Sequence, residues 1–209
     1  MLVQTPAALK ARFNIDIHPN SEVVAIQPKQ KQLIVQNDIE KYTMGYDKLI
    51  LAPGAKPVLP VIPGLDTAKT LFTLRSVPNA DVIMNQIESN QPQTATIIGA
   101  GFIGLEMAEN LAHRGIRVTI VEKASHVLPS FDEEMAAIIQ KELKEQDITL
   151  WTNASAVAFK EKGKKIVLDN DQVLQSDLVI LSVGVQPENS LAKAADIELG
   201  LQGGILVNE

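Results

Sequence analysis

Seven consecutive residues, Ile98-Gly99-Ala100-Gly101-Phe102-Ile103-Gly104, carry the clearest chemistry in the chain. Their spacing is G-x-G-x-x-G. The first glycine permits a tight turn, the second lets backbone approach a pyrophosphate with no Cβ in the way, and the third allows a helix to pack closely on a strand. Context gives a weak pattern its meaning, because an apolar run that reads as a strand, 94–98, precedes the glycines and a helical pattern, 102–114, follows them. The helix start then offers unpaired N–H groups and the positive end of a dipole to phosphate. Glu122 closes the next predicted strand, 118–122, about where an acid accepts a hydrogen bond from a ribose 2′-hydroxyl. The combination predicts a dinucleotide site. A carboxylate repels a 2′-phosphate, so Glu122 favours NAD(H); Lys123 and His126 lie just beyond it, and NADPH stays open.

Elements must hold those residues in place. Thr5-Pro6 reads as a cap and first helical position, predicting a short helix over 6–13. Runs 22–27, 32–36 and 48–52 read as strands, the last one buried, and suggest a small meander. Pro53, Gly54, Pro57, Pro60, Pro63 and Gly64 forbid regular structure and mark a crossing segment or hinge. A helix follows from Pro78 to Pro92. Gly115 stops the helix after the glycine turn, and Ser130-Phe131-Asp132-Glu133 reads as a capping box. Met135, Ile138, Ile139 and Leu143 give the next helix a buried stripe, and 149–183 returns to strands. Such alternation predicts an α/β fold, a Rossmann-like unit with a parallel sheet, right-handed crossovers and a β-meander.

The chain also repeats itself. Ala25, Ile26, Lys31, Leu33, Ile34, Val35, Asn37 and Asp38 align with Ala158, Phe159, Lys164, Ile166, Val167, Leu168, Asn170 and Asp171 at a constant offset. After a three-residue gap, Asp47 through Pro57 aligns with Asp177 through Pro187. A βαβα unit precedes the second copy and only a short helix the first, so the first copy reads as truncated and the chain as part of a longer protein.

Composition narrows the function. Among 209 residues, 45% are hydrophobic and 21% charged, ordinary globular usage. The net charge of −6 argues against nucleic acid and anionic membrane surfaces as partners. With no cysteine, disulfides, thiolate metal sites and thiol nucleophiles are excluded within these residues. His18, His113 and His126 show no metal spacing. No apolar run reaches the roughly 20 residues of a membrane span, and the first residues lack the features of a secretory signal, which together predict a cytoplasmic protein.

The segments 99–106, 46–54 and 183–187, with Glu122, resemble the flavin-dependent pyridine nucleotide-disulfide oxidoreductases, in particular the branch with coenzyme A disulfide reductase, NADH oxidase and NADH peroxidase. The resemblance covers essentially the whole chain. It implies an FAD domain interrupted by an NAD domain of the same plan, which would account for the repeat. On that basis 1–75 is a partial FAD-binding portion of three-layer βα type, 76–190 the NAD(P)H-binding domain, and 191–209 a return segment. Thr73–Pro78 would link the domains.

Residue by residue, the resemblance implies that Ala52, Pro53 and Gly54 approach the flavin nucleotide and that Val23 lies by its adenine. Pro53 departs from the family's usual Thr and loses both hydroxyl and N–H. Phe102 corresponds to the aromatic that covers the flavin until the nicotinamide displaces it, which predicts an exposed ring here rather than a core one. Glu106 would steady the nicotinamide, and Gly184-Val185 would offer backbone groups to its amide. The implied chemistry is hydride transfer from NAD(P)H to FAD, with a disulfide, peroxide or O2 as final acceptor, in a full-length homodimer. The family's redox cysteine lies outside this chain, so no catalytic residue is expected within it. A non-catalytic NAD-binding module is the alternative. A short-chain dehydrogenase would need Tyr-x-x-x-Lys after the glycines, whereas Tyr42 and Tyr46 both precede them.

Overall fold

The computed structural model describes residues 4–207. In chain order the elements are α1 (Pro6–Phe13), β1 (Glu22–Gln27), β2 (Gln32–Gln36), β3 (Lys41–Gly45), β4 (Ala55–Pro57), β5 (Leu71–Phe72), α2 (Val77–Asn90), β6 (Thr94–Ile98), α3 (Phe102–His113), β7 (Arg117–Val121), α4 (Glu133–Glu145), β8 (Thr149–Trp151), β9 (Ala156–Lys160), β10 (Lys165–Leu168), β11 (Val173–Gln175), β12 (Leu178–Leu181), β13 (Val185–Pro187) and α5 (Ser190–Ala194). They form two compact units, one of residues 1–55 with 187–209, the other of residues 56–186. These limits differ from the expected 75/76 and 190/191. The cause lies in residues 62–72: Ile62, Leu65 and Leu71 pack on the buried core of the larger unit, and β5 pairs with β12.

The larger unit has three layers. Its central sheet runs β5-β12-β6-β7-β8, with every pair parallel. The crossovers through α2, α3 and α4 all advance in one direction across the sheet, so right-handed connection brings the three helices to one face. Alternation along the strands sorts the core accordingly. Ala95, Ile97, Val118, Ile120, Leu178 and Ile180 meet Ile83, Ala108, Leu111, Ala136 and Leu143 of the helices. Ile98, Val121, Val179 and Leu181 face the other way, onto Ala156, Phe159, Ile166 and Leu168 of the β9–β10–β11 meander. Strands buried on both faces read as continuous apolar runs, as Thr94–Ile98 and Leu178–Leu181 do.

The boundary between the two units falls inside the proline-rich segment, as a crossing segment requires, and its far end is fixed within the larger unit. Pro63 O accepts the Phe159 N–H at 2.8 Å, and a Cβ on Gly64 would stand 2.0 Å from Phe159 O, so only glycine with φ +83° fits. Two further expectations are corrected. Helix α4 starts from Asp132, in extended backbone, so Ser130–Glu133 is not its capping box; the box in this fold belongs to Ser76 and Asn79 at α2. The buried stripe of α4 is Ala136 and Leu143 with Ile139 partly covered, whereas Met135 and Ile138 are 55% and 65% exposed.

In the smaller unit the Thr5 hydroxyl accepts the Ala8 N–H at the start of α1, and β1-β2-β3 form an antiparallel meander with Ile26 and Val35 buried. The expected buried strand at 48–52 is absent, and Ile50 is 90% exposed. Its counterpart in the repeat, Leu178–Leu181, is buried because β5 and β6 flank it. No described strand pairs with residues 48–52, so their backbone has no ladder to join.

The repeat itself is structural. Ala25 pairs with Ile34 and Ile26 with Leu33; at the same offset Ala158 pairs with Val167 and Phe159 with Ile166. Even the register shift recurs, at Val24 in one copy and Val157 in the other. A shared bulge is a detail that common strand composition would not produce.

Candidate functional site

The glycine turn joins β6 to α3 inside the larger unit, at the carboxyl end of the parallel strands, where ligands of such sheets gather. Each glycine has a distinct physical reason. Gly99 has φ +104°, and a Cβ there would lie 2.5 Å from Ser182 O. At Gly104 a Cβ would stand 2.1 Å from Gly99 O, which makes it the close-packing glycine. Gly101 differs: it caps α3 in extended backbone, and a Cβ on it would meet no atom within 4 Å. Nothing in the protein needs glycine at 101. Glycine there matches the close-approach position of the dinucleotide pattern.

Ala100 is fully buried and committed to the turn. Its N–H donates to Glu122 Oε2 at 2.6 Å, and its carbonyl accepts the Leu128 N–H at 2.9 Å. The donors left to face the cleft are the N–H groups of Gly101, Phe102, Ile103 and Gly104, the first of α3, which by helix geometry have no intrahelical acceptor. Three or more such groups at the positive end of a helix form an anion site.

Glu122 lies one residue past the end of β7 rather than in the strand, and is only 8% exposed. Its Oε1 accepts the Ala124 N–H at 2.8 Å, so both carboxylate oxygens carry one backbone bond. A carboxylate has about four lone-pair sites, which leaves one acceptor position on each oxygen. Glu122 and the exposed Lys123 border a cavity of about 610 Å³ that also reaches Gly99, Gly101, Ser182 and Gly184. A dinucleotide's adenosine end and pyrophosphate fit that line of groups.

On the other side of the turn, Phe102 is 62% exposed, as the ligand-facing position predicts. Ile103 is exposed beside it. Both border a cavity of about 290 Å³ with Leu74, Leu181, Gly184 and Val185. Gly184 has φ +111°, its carbonyl accepts the Val58 N–H, and Val185 is exposed. Glu106, one helical turn after Phe102, is exposed and borders a different groove, between α3 and α4.

Val23, Ala52, Pro53 and Gly54 lie in the smaller unit. Val23 is half-buried on β1; the other three are exposed irregular backbone, and the Gly54 carbonyl accepts the Glu188 N–H. These four residues border none of the cavities above.

Sequence reasoning missed Ser182. Its hydroxyl lies 3.1 Å from Ile98 O and 2.9 Å from Gly99 O, tying the end of β12 to the glycine turn. A lone serine in the run Leu178–Val183, aligned with Ala52 in the first copy, was the available signal.

A profile of the pyridine nucleotide-disulphide oxidoreductases matches residues 5–209. The NADH oxidase of Methanocaldococcus jannaschii is 36% identical across 100% of this chain and 47% of its own length. Coenzyme A disulfide reductase of Staphylococcus aureus is 32% identical, again across 100% of this chain and 47% of its own length. Among solved structures, the reduced CoADR-RHD protein of Bacillus anthracis superposes with a TM-score of 0.92 at 48% identity, covering 97% of this chain and 37% of that one. The chain thus spans about half the length of the relatives it matches.

Proposed function

The chain belongs to the pyridine nucleotide-disulphide oxidoreductase family, and from that premise we propose that its larger unit binds NAD(P)H for a flavoprotein oxidoreductase. The pyrophosphate lies on Gly101 at the start of α3. The adenosine ribose lies at Glu122, with Lys123 alongside, and the nicotinamide enters the cavity between Phe102, Ile103, Gly184 and Val185; Glu106 borders the α3–α4 groove and not that cavity, so we assign it no role at the nicotinamide. When bound, the reduced nicotinamide would supply a hydride to FAD, whose two electrons would then go to a disulfide, peroxide or O2. Val23 and Ala52-Pro53-Gly54 approach the flavin nucleotide from the smaller unit, Pro53 without an N–H to donate. The parent protein is a cytoplasmic homodimer; among the described residues no helix is long and apolar enough to cross a membrane.

One observation carries this reading: the open space at Gly101, where the turn's other two glycines are closed in by backbone. Gly101→Ala should fold normally, at a cost of about 1 kcal/mol for replacing glycine at a helix cap, while calorimetric titration shows NADH affinity lost or reduced at least tenfold. Gly104→Ala, which collides with Gly99 O, should instead lower stability by roughly 1–3 kcal/mol. Equal NADH affinity in wild type and Gly101→Ala would remove the pyrophosphate from this turn.

A further inference from the structure

The ring of Phe102 is a wall of two cavities at once. One, about 290 Å³, lies toward Leu181, Gly184 and Val185. The other, about 350 Å³, runs between α3 and α4 over Leu105, Leu128, Ile139 and Leu143. Phe131 borders only the second. Its ring meets that of Phe102 edge to face, with centroids 5.7 Å apart and planes at 75°, a favoured aromatic geometry. The two partners differ in how they are held. Phe131 sits in a turn closed by its own N–H on Leu128 O at 2.8 Å, directly before the Asp132 cap of α4. Phe102 is the first residue of α3, with a backbone fixed by the helix and a mostly exposed side chain that has open space on both sides.

We propose that Phe131 is a positioning residue for Phe102: it draws the ring toward the α3–α4 groove and so keeps the cavity beside Gly184 and Val185 open for the nicotinamide. The inference rests on the nucleotide reading above. An edge-to-face pair shifts a two-state ring orientation by roughly two- to tenfold. That bias favours the open cavity while leaving the ring free to turn back across it when the nucleotide departs. Phe131 does not border the nicotinamide cavity, so an effect there runs through Phe102, whereas an effect passed through its turn to Pro129 at the adenosine end would persist without the Phe102 ring.

A double-mutant cycle on NADH dissociation constants, measured by calorimetry, tests this. Phe131→Ala should weaken NADH binding about two- to tenfold, Phe131→Leu should do the same despite keeping an apolar side chain, and Phe131→Tyr should stay near wild type. In a Phe102→Ala background, Phe131→Ala should change nothing. Equal losses in both backgrounds, or none in either, would overturn the proposal. A second readout needs no nucleotide. With isotope-labelled phenylalanine, Phe131→Leu should change the Phe102 Hα–Hβ couplings that report its χ1 populations, and unchanged couplings would also overturn it. A wild-type protein that binds no NADH would defeat the nucleotide reading, while the couplings would still decide whether Phe131 orients Phe102.

Discussion

Glu122 has two tasks that one carboxylate performs together. Its oxygens hold the Ala100 and Ala124 N–H groups at 2.6 and 2.8 Å, and the residue borders the cavity that the ribose is proposed to enter. Removing it therefore does more than remove a ribose contact. Hydrogen bonds to a charged group contribute about 1.5–3 kcal/mol each, and the buried Ala100 N–H and the part-buried Ala124 N–H would both lose their acceptor. Glu122→Ala should lower unfolding stability by roughly 2–4 kcal/mol, read as a fall in the denaturant midpoint. Glu122→Gln keeps the shape but only one acceptor oxygen, so its NH2 meets one of the two backbone N–H donors and part of that stability is lost too; the ribose contact is therefore read from the ratio of the two nucleotides' affinities, in which a shared structural loss cancels. Because the ionised carboxylate repels a 2′-phosphate, Glu122→Gln should weaken NADH relative to NADPH. An unchanged ratio of the two dissociation constants would confine Glu122 to its structural task.

At the scale of elements, β6 and β12 are joined at their starts by a single side chain. Asp177 accepts from the N–H groups of Gln93 and Thr94 and from the Thr94 hydroxyl at 2.9–3.1 Å. Its partial burial disfavours the charged form, but the Thr94 hydroxyl, those backbone donors and the nearby Lys164 charge outweigh it and hold its pKa below the usual 3.8. A depressed carboxyl pKa contributes stability that is fully present above the unfolded value and is lost as pH falls through the folded one. Asp177→Asn should therefore be less stable than wild type at pH 7, and the gap should narrow below pH 3.8. Urea midpoints at both ends of that range measure it, and a gap independent of pH would contradict it. The elements around this clamp were legible in the sequence because strands buried on both faces leave long apolar runs, and because Thr5 and Gly115 punctuate helices locally. What sequence could not show was tertiary. Met135 and Ile138 look like core by periodicity but project from α4 on the side the sheet does not cover. Residues 48–52 look like a buried strand because they form a short apolar run, yet strand formation depends on neighbours that no local pattern encodes. The glycine turn and Glu122 were readable from spacing. The hydroxyl of Ser182 was not, since its importance comes from two carbonyls more than 80 residues away.

Across the whole molecule, burial is uneven. Both clusters of buried apolar side chains found among the described residues belong to the larger unit, whereas the smaller one relies on its meander with Ile26, Val35 and Ala192. Amide hydrogen exchange should therefore show its strongest protection in β6, β7 and β12 and markedly weaker protection in β1–β3, because opening free energy follows the apolar contacts that must be broken. Equal protection in both meanders would contradict that distribution. The same division separates the two proposed nucleotide roles, since the repeat supplies each unit with a meander and a positive-φ glycine, Gly54 or Gly184, but only the larger unit carries the glycine turn. The central claim is that a nicotinamide dinucleotide lies across the start of α3 in the larger unit. An amide-resolved magnetic resonance titration with NADH tests it most directly. The account predicts saturable shifts centred on Gly101, Phe102 and Ile103 and extending to Lys123 and Gly184, while Asn20–Asp38 of the smaller unit stay still. Shifts confined to the smaller unit, or none at the glycine turn at saturating NADH, would contradict it.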